Sequence, residues 1–326
     1  MNNFKALASK FSFRSWGVFL KWFVLIAAYS FLAYKLITFN QYDRLFAWWR
    51  QMPVTQFRWL AAVLVLLPLN WLLEAVKWGM LTSNIQKITL KTSIIAVLAG
   101  VSTGFFTPNR VGEVVGRMMY LNAGNRKAGV AMGVLNSLTQ NMVMVMCGVP
   151  ACIVYFSSGA SVPELAAETY LMMIGAFLLL FGMLYFSLPK LSRYLVQANL
   201  AATVSSFTAG FTAYTRGDLL LIFGVSLLRY FVFCTQFFFM LRFFGIQLQP
   251  LEALIAIPVN YLFVTFSPSL AFSEAAVRSS YAVLVIGSYS TQVVNIALAG
   301  VCIWAINFVI PMLVGSAVVV GKKSGR

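Results

Sequence analysis

No histidine occurs anywhere in this chain. That absence removes imidazole general bases, histidine-ligated haem and ordinary zinc sites together. Acidic residues are also scarce: eight Asp and Glu stand against 24 Lys and Arg, a formal net charge of +16. No metal-ligand cluster and no nucleophile–base pair can be assembled from this inventory, so no cofactor is called for and no enzymatic activity is expected. There are four cysteines, Cys147, Cys152, Cys234 and Cys302, all inside apolar runs at irregular spacing. Thiols placed that way are small packing residues rather than a disulfide framework. The phosphate-loop pattern G-x-x-x-x-G-K-[ST] is missing too, which excludes nucleotide hydrolysis by that route.

What the chain has in abundance is apolar surface. Hydrophobic residues make up 60% of it and charged residues only 10%, proportions that no soluble domain of 326 residues tolerates. The expected fold class is therefore all-α and polytopic, a single membrane domain over 1–326. Its Gly and Phe content and its many Trp and Tyr fit helical packing with aromatic belts. In a soluble protein the +16 charge would point to nucleic acid; here the charges sit in loops between apolar runs, and no nucleic-acid partner is expected. The basic start (Lys5, Lys10, Arg14, Lys21) leads into an apolar run of span length without a small-residue cleavage site, which reads as an uncleaved first helix.

Six runs are long enough for a hydrocarbon core of about 30 Å, which takes roughly 20 helical residues: 17–38, 59–81, 128–155, 169–189, 218–241 and 292–320. Two shorter apolar segments, 92–107 and 252–267, stop at Pro108 and Pro268, and each is followed by a second half-length segment. These pairs, 92–122 and 252–287, read as re-entrant hairpins, tolerated at membrane depth only where protein or water satisfies the free backbone groups. The basic residues support an even number of crossings at each pair. With the N-terminus inside, Lys77, Lys87, Lys91, Arg126, Lys127, Lys190, Arg193, Arg216, Lys322, Lys323 and Arg326 all become cytoplasmic, as the positive-inside rule requires. Residues 39–58 go against it with Arg44, Arg50 and Arg58, and read as an interfacial helix beside Trp48 and Trp49. The layout places both termini in the cytoplasm and turns the two hairpins to opposite sides, the pattern of an inverted repeat.

The hairpins carry matching strings, PNRVGEVVGRMMY from Pro108 and PSLAFSEAAVRSSY from Pro268. Glu113 to Arg117 and Glu274 to Arg278 are both four residues; Arg117 to Tyr120 and Arg278 to Tyr281 are both three. Charges at membrane depth are costly and mark functional sites by default. At i,i+4 each acid–base pair shares a helix face, and two readings stand side by side. Either each pair neutralises itself, or the two aim carboxylate and guanidinium at a central cavity, where arginine's planar fork matches a phosphate.

Arg110 lies near the first hairpin tip. Arg229, about 16 Å along its span from Asp218 by helical rise, has no carboxylate at i±3 or i±4. It must meet one from another helix, Glu74 or a motif glutamate, or an anionic ligand. Glu74 reads as an arginine's partner before a proton carrier, and Lys77 as a snorkelling residue near a helix end. Asn136, Gln140 and Asn141 form a polar stripe suited to interhelical hydrogen bonds or to cavity lining.

The string TPNRVGEVVGR (Thr107 to Arg117) resembles the flippase-like family, the membrane domains of lysylphosphatidylglycerol synthase proteins and their stand-alone relatives. Thr107, Pro108, Arg110, Gly112 and Glu113 match its T-P-G-R-x-G-E motif, with Asn109 in place of a glycine; Pro268 and Glu274 align with a later segment. The resemblance implies membrane helices with two re-entrant hairpins and a role in moving phospholipids between leaflets. Full-length relatives add a soluble aminoacyl-transferring domain. Five residues follow Gly321 here, so a stand-alone member is expected.

On this reading the chain is a lipid translocator of the bacterial inner membrane, without its own ATPase, and its partners are membrane lipids with a phosphate headgroup. Arg110, Arg117, Arg229 and Arg278 would bind phosphate, with Glu113 and Glu274 orienting them or meeting a headgroup amine. The alternative is a non-transporting anchor for a lipid- or glycan-modifying enzyme, whose mark would be a closed, dry interior.

Overall fold

The computed structural model describes residues 52–105, 107, 110–157, 167–197, 211–267 and 271–321, together with positions 43, 46, 47 and 50. The expected first span, 17–38, and both motif prolines, Pro108 and Pro268, lie outside the described residues. Among the described residues the secondary structure is entirely helical, and the protein is an all-α polytopic membrane protein.

A 3₁₀ turn at Val54–Gln56 leads into α1 (Phe57–Thr82), followed by α2 (Leu90–Phe105) and the seven-residue α3 (Gly112–Met118). A second 3₁₀ turn, Ala123–Asn125, opens α4 (Arg126–Ser157), and α5 (Ala167–Gln197), α6 (Arg216–Phe243), α7 (Pro250–Phe266) and α8 (Ala271–Ile286) follow. The last span starts as α9 (Val293–Trp304), passes through a π-helical turn (Ala305–Val309) and continues as α10 (Ile310–Gly321). Five stretches are long and apolar enough to cross a membrane: Val54–Thr82, Ala123–Ser157, Leu171–Tyr194, Arg216–Phe243 and Val293–Val319. They coincide with the last five expected spans. The apolar helices Leu90–Phe105 and Pro250–Phe266 are shorter and are the first limbs of the two half-length pairs.

Local chemistry sets the helix ends. At α6 the Thr215 hydroxyl accepts the Asp218 N–H at 3.1 Å while Asp218 accepts the Thr215 N–H at 2.8 Å, a reciprocal cap that satisfies two otherwise orphaned donors. At α7 Pro250 occupies the first turn, where its missing N–H costs nothing, and Glu252 accepts the Gln249 N–H at 2.7 Å. The limbs α2 and α3 approach closely because glycines line both faces. A methyl at Gly104 would run into the Glu113 side chain, and one at Gly116 into Thr103 and Gly100; small residues at this spacing are what allow helix backbones to meet in a membrane. Thr103 Oγ1 donates to the Gly112 carbonyl at 2.8 Å, and Thr107 Oγ1 accepts the Gly112 N–H at 2.8 Å, pinning the turn between the limbs.

The expected uninterrupted span 292–320 is broken by its π turn, in which the Ile310 N–H reaches back five residues to Ala305. Pro311 explains it. A proline in a helix clashes with the carbonyl four residues earlier, here Asn307, and a wider turn relieves the clash. The second limb of the first pair is also shorter than the expected 110–122, because the chain leaves the helix at Met118 through turns from Arg117 and Met118 to Tyr120 and Leu121.

The buried apolar residues form two clusters. One gathers α6, α7, α8 and α9 around Phe237, Met240, Ile257 and Val285; the other gathers α1, α2, α4 and the last span around Trp78, Val97, Leu135 and Met312. A polar cavity lies between them, bordered by Phe233, Tyr261 and Ile303 of the first cluster and Trp71, Phe105 and Trp304 of the second.

Candidate functional site

The site starts on α1, where Asn70, Glu74 and Lys77 recur at i, i+4 and i+7 and so share one face. All three are buried. Glu74 is the anionic centre. Its Oε1 accepts from Arg117 at 2.7 Å and from the Asn136 amide at 2.8 Å, while its Oε2 pairs with Arg229 at 2.9 Å and with Lys77 at 3.0 Å. Lys77 does not snorkel as expected: it is 0% exposed and also donates to Gln140 Oε1 at 3.3 Å. The ion pair three residues away holds it inside, where an unpaired ammonium would have to reach water.

Arg229, the arginine without a partner on its own helix, meets Glu74 and also donates to Asn70 Oδ1 at 2.9 Å and Gln140 Oε1 at 3.3 Å. Asn70 in turn donates to Asn307 Oδ1 at 2.8 Å, so the π turn contributes directly to the network. A lone asparagine four residues before a proline is the sequence signal that marks Asn307. Phe308, in the same turn, lies against two guanidinium groups, with Arg110 at 3.6 Å and Arg278 at 4.6 Å from its ring centre. Such stacking adds attraction to cations already held by carboxylates.

The two motif pairs form as their spacing requires. Arg117 donates to Glu113 at 3.1 Å and Arg278 to Glu274 at 2.9 Å. Arg110 joins them, pairing with Glu113 at 3.3 Å and across 164 residues with Glu274 at 3.4 Å. One chain of ion pairs therefore runs from Lys77 through Glu74, Arg117, Glu113 and Arg110 to Glu274 and Arg278. Arg110 also adopts a left-handed backbone, φ +59°, which costs a residue with a side chain about 1–2 kcal/mol. Its N–H bonds to the Thr107 carbonyl at 3.1 Å, so the strained turn delivers the guanidinium to both glutamates. Strain of this kind persists where the surroundings over-determine it, typically at ligand sites and switches.

Apart from Lys77, all of these groups face one cavity of about 520 Å³. The structure brings every described site residue of the sequence reading to its wall: Arg110, Glu113, Arg117, Arg229, Glu274 and Arg278, with Glu74, Asn136, Gln140 and Asn141 beside them. Trp304 and Phe308 complete the lining beside Asn307, and no motif on the last span announces these two aromatic residues. Tyr281 stands outside the wall; it accepts a hydrogen bond from Ser267, just past the end of α7, at 2.6 Å.

The electrostatics follow from a count. Arg110, Arg117, Arg229 and Arg278 are four cations on the wall facing three carboxylates, a formal surplus of +1, and Lys77, off the wall, adds a further cation against Glu74. Ions at this depth each cost several kcal/mol to desolvate and are tolerated because they pair. A surplus of one sign attracts the other, so the cavity is built to receive negative charge. Among the described residues no group of three or more potential ligands is placed to hold a metal ion.

Comparison with known proteins adds one identification. No curated protein and no solved structure matches the chain. A family model does, over residues 18–315, a stretch that contains every element of the cavity. The chain belongs to the family described as the lysylphosphatidylglycerol synthase TM region.

Proposed function

We propose that this protein moves an anionic or zwitterionic membrane lipid between leaflets, without an ATPase of its own and without chemical conversion of the lipid. The observation that carries the proposal is the polar cavity with its surplus of +1, set between two apolar clusters inside a membrane protein. A headgroup enters the cavity while its acyl chains stay in lipid. The exposed apolar faces of α3 (Val111, Val115, Met119) and of α5 (Leu171, Leu179, Met183) suit acyl chains. In this reading α2–α3 and α7–α8 are re-entrant hairpins of an inverted repeat that open alternately to the two leaflets of the bacterial cytoplasmic membrane, both termini being cytoplasmic. The broken helices at matching places in the two halves support it, as does the family, whose description names a lipid synthase's membrane region. A protein that only anchors a lipid- or glycan-modifying enzyme has no need of a charged internal cavity, which weighs for translocation.

The test is exchange of fluorescent lipids by purified protein in proteoliposomes. Wild type is expected to exchange lipid, while Arg229→Ala and Glu113→Gln are expected to reduce the rate by about tenfold or more, the equivalent of one charge-assisted contact. Wild-type rates in both variants, with folding intact, would remove the cavity from the function.

A further inference from the structure

We infer that the cavity selects lipids whose headgroup is net anionic and carries no amine. This rests on the cavity being the headgroup site, and three observations on the same wall support it.

The first is that no carboxylate is left over. Glu74 is divided among Arg117, Arg229 and Lys77; Glu113 between Arg110 and Arg117; Glu274 between Arg110 and Arg278. Each of the six carboxylate oxygens faces a cation. A headgroup ammonium has only donors and finds no free acidic oxygen; to gain one it must displace an arginine while sitting among four like charges.

The second is an imbalance of unpartnered polar atoms. Among the described residues Arg110 Nε, Arg117 Nε, Gln140 Nε2 and Trp71 Nε1 are buried donors with no acceptor, and all four residues line the cavity. The Gln140 amide is held in this sense because its oxygen accepts from Lys77 and Arg229. Against these four stand two acceptors: Asn136 Oδ1, whose amide nitrogen is committed to Glu74, and Glu74 Oε2, which accepts no hydrogen bond but is already neutralised by Arg229 and Lys77. Unmet buried donors are costly, and a ligand with several acceptor oxygens satisfies them. A phosphodiester supplies the oxygens, and one headgroup hydroxyl suits Asn136. Phosphatidylglycerol has this chemistry; phosphatidylethanolamine adds an ammonium that the wall cannot serve.

The third concerns the source of the phosphate. Phe266 lines the cavity and is 58% exposed, and Val111 and Val115, which alternate in sequence with the lining residues Arg110, Glu113 and Arg117, are exposed as well. An apolar rim continuous with a cationic cavity fits a lipid rather than a soluble phosphate ester.

Binding can be measured without transport. Full-length protein in detergent is titrated with phosphatidylglycerol, phosphatidylethanolamine or soluble glycerol phosphate, and binding is read by intrinsic tryptophan fluorescence. Phosphatidylglycerol is expected to bind more tightly than phosphatidylethanolamine by about tenfold or more, the equivalent of one charge-assisted contact, with glycerol phosphate weaker than either lipid. Arg110→Gln is expected to erase most of that preference, and Arg110→Lys, which keeps the charge, to retain part of it; a purely structural role for Arg110 would shift all three ligands together. Equal affinity for the two lipids, or tighter binding of phosphatidylethanolamine, overturns the inference. So does glycerol phosphate binding as well as phosphatidylglycerol, which would assign the cavity to a soluble ester. Selective binding without exchange leaves this assignment standing and removes translocation; exchange without headgroup preference does the reverse.

Discussion

Glu74 and Lys77 show how unequal two partners in one buried ion pair can be. Glu74 serves Arg117, Arg229 and Lys77 at distances of 2.7–3.0 Å, while Lys77 has only Glu74 as counter-charge. Removing the carboxylate leaves three cations facing one another, two of them, Lys77 and Arg117, almost wholly buried; removing the ammonium leaves a carboxylate that two arginines still satisfy. Glu74→Gln is therefore expected to cost about 3–5 kcal/mol of stability, the usual penalty for uncompensated buried charge. Lys77→Met fills similar volume and should stay within about 1.5 kcal/mol of wild type, as volume-conserving core changes do. Unfolding in detergent, followed by circular dichroism against denaturant, ranks the two. Equal losses would mean that Lys77, not the arginines, is the main partner of Glu74.

At the scale of elements, the contact between α2 and α3 depends on what its glycines lack. A Cβ at Gly116 collides with the Thr103 hydroxyl and the Gly100 backbone, whereas one at Gly182 on α5 meets nothing within 4 Å. The same substitution should thus have opposite signs. Gly182→Ala is expected to stabilise by about 0.5–1 kcal/mol through helix propensity alone, and Gly116→Ala to destabilise by about 1–3 kcal/mol through overpacking, as thermal unfolding will show. Gly116→Ala should also slow lipid exchange, because it pushes α3, with Glu113 and Arg117, away from α2. The pairing of half-length helices was legible in the sequence because Pro108 and Pro268 cut two apolar runs short and the same Glu–Arg spacing follows each. The π turn was not, since it arises from a clash between Pro311 and the Asn307 carbonyl inside a run whose hydropathy is unbroken. Lys77 was misplaced for a similar reason: a lysine near a helix end ordinarily reaches water, and only the packing of Arg229, Gln140 and Glu74 around it shows that it does not.

Across the whole molecule, α2, with α3 packed on it, belongs to one apolar cluster and most of α7 and α8 to the other, so the two pairs meet across a polar seam. Convergence of seven charged side chains on that seam could not be read from spacing, since the contact that joins the motifs, Arg110 to Glu274, spans 164 residues. Apolar packing resists sliding because every displacement exposes voids. A seam of ion pairs can exchange partners at small cost when a phosphate replaces a carboxylate on the same guanidinium. Arg110 is the group placed to do this: it is 24% exposed, strained in its backbone and shared between the glutamates of both motifs. If it couples the two halves, the effects of Arg110→Gln and Glu274→Gln on stability should not add. The expected coupling is about 1 kcal/mol, within the range for residues in direct contact, whereas independent sites add to within about 0.5 kcal/mol. A double-mutant cycle on unfolding free energy measures this directly. Phosphatidylglycerol should shrink the coupling, because bound phosphate takes Arg110 from Glu274. A cycle that is additive without lipid would show that the halves are joined by their apolar contacts alone, and a coupling indifferent to phosphatidylglycerol would show that the bridge is structural.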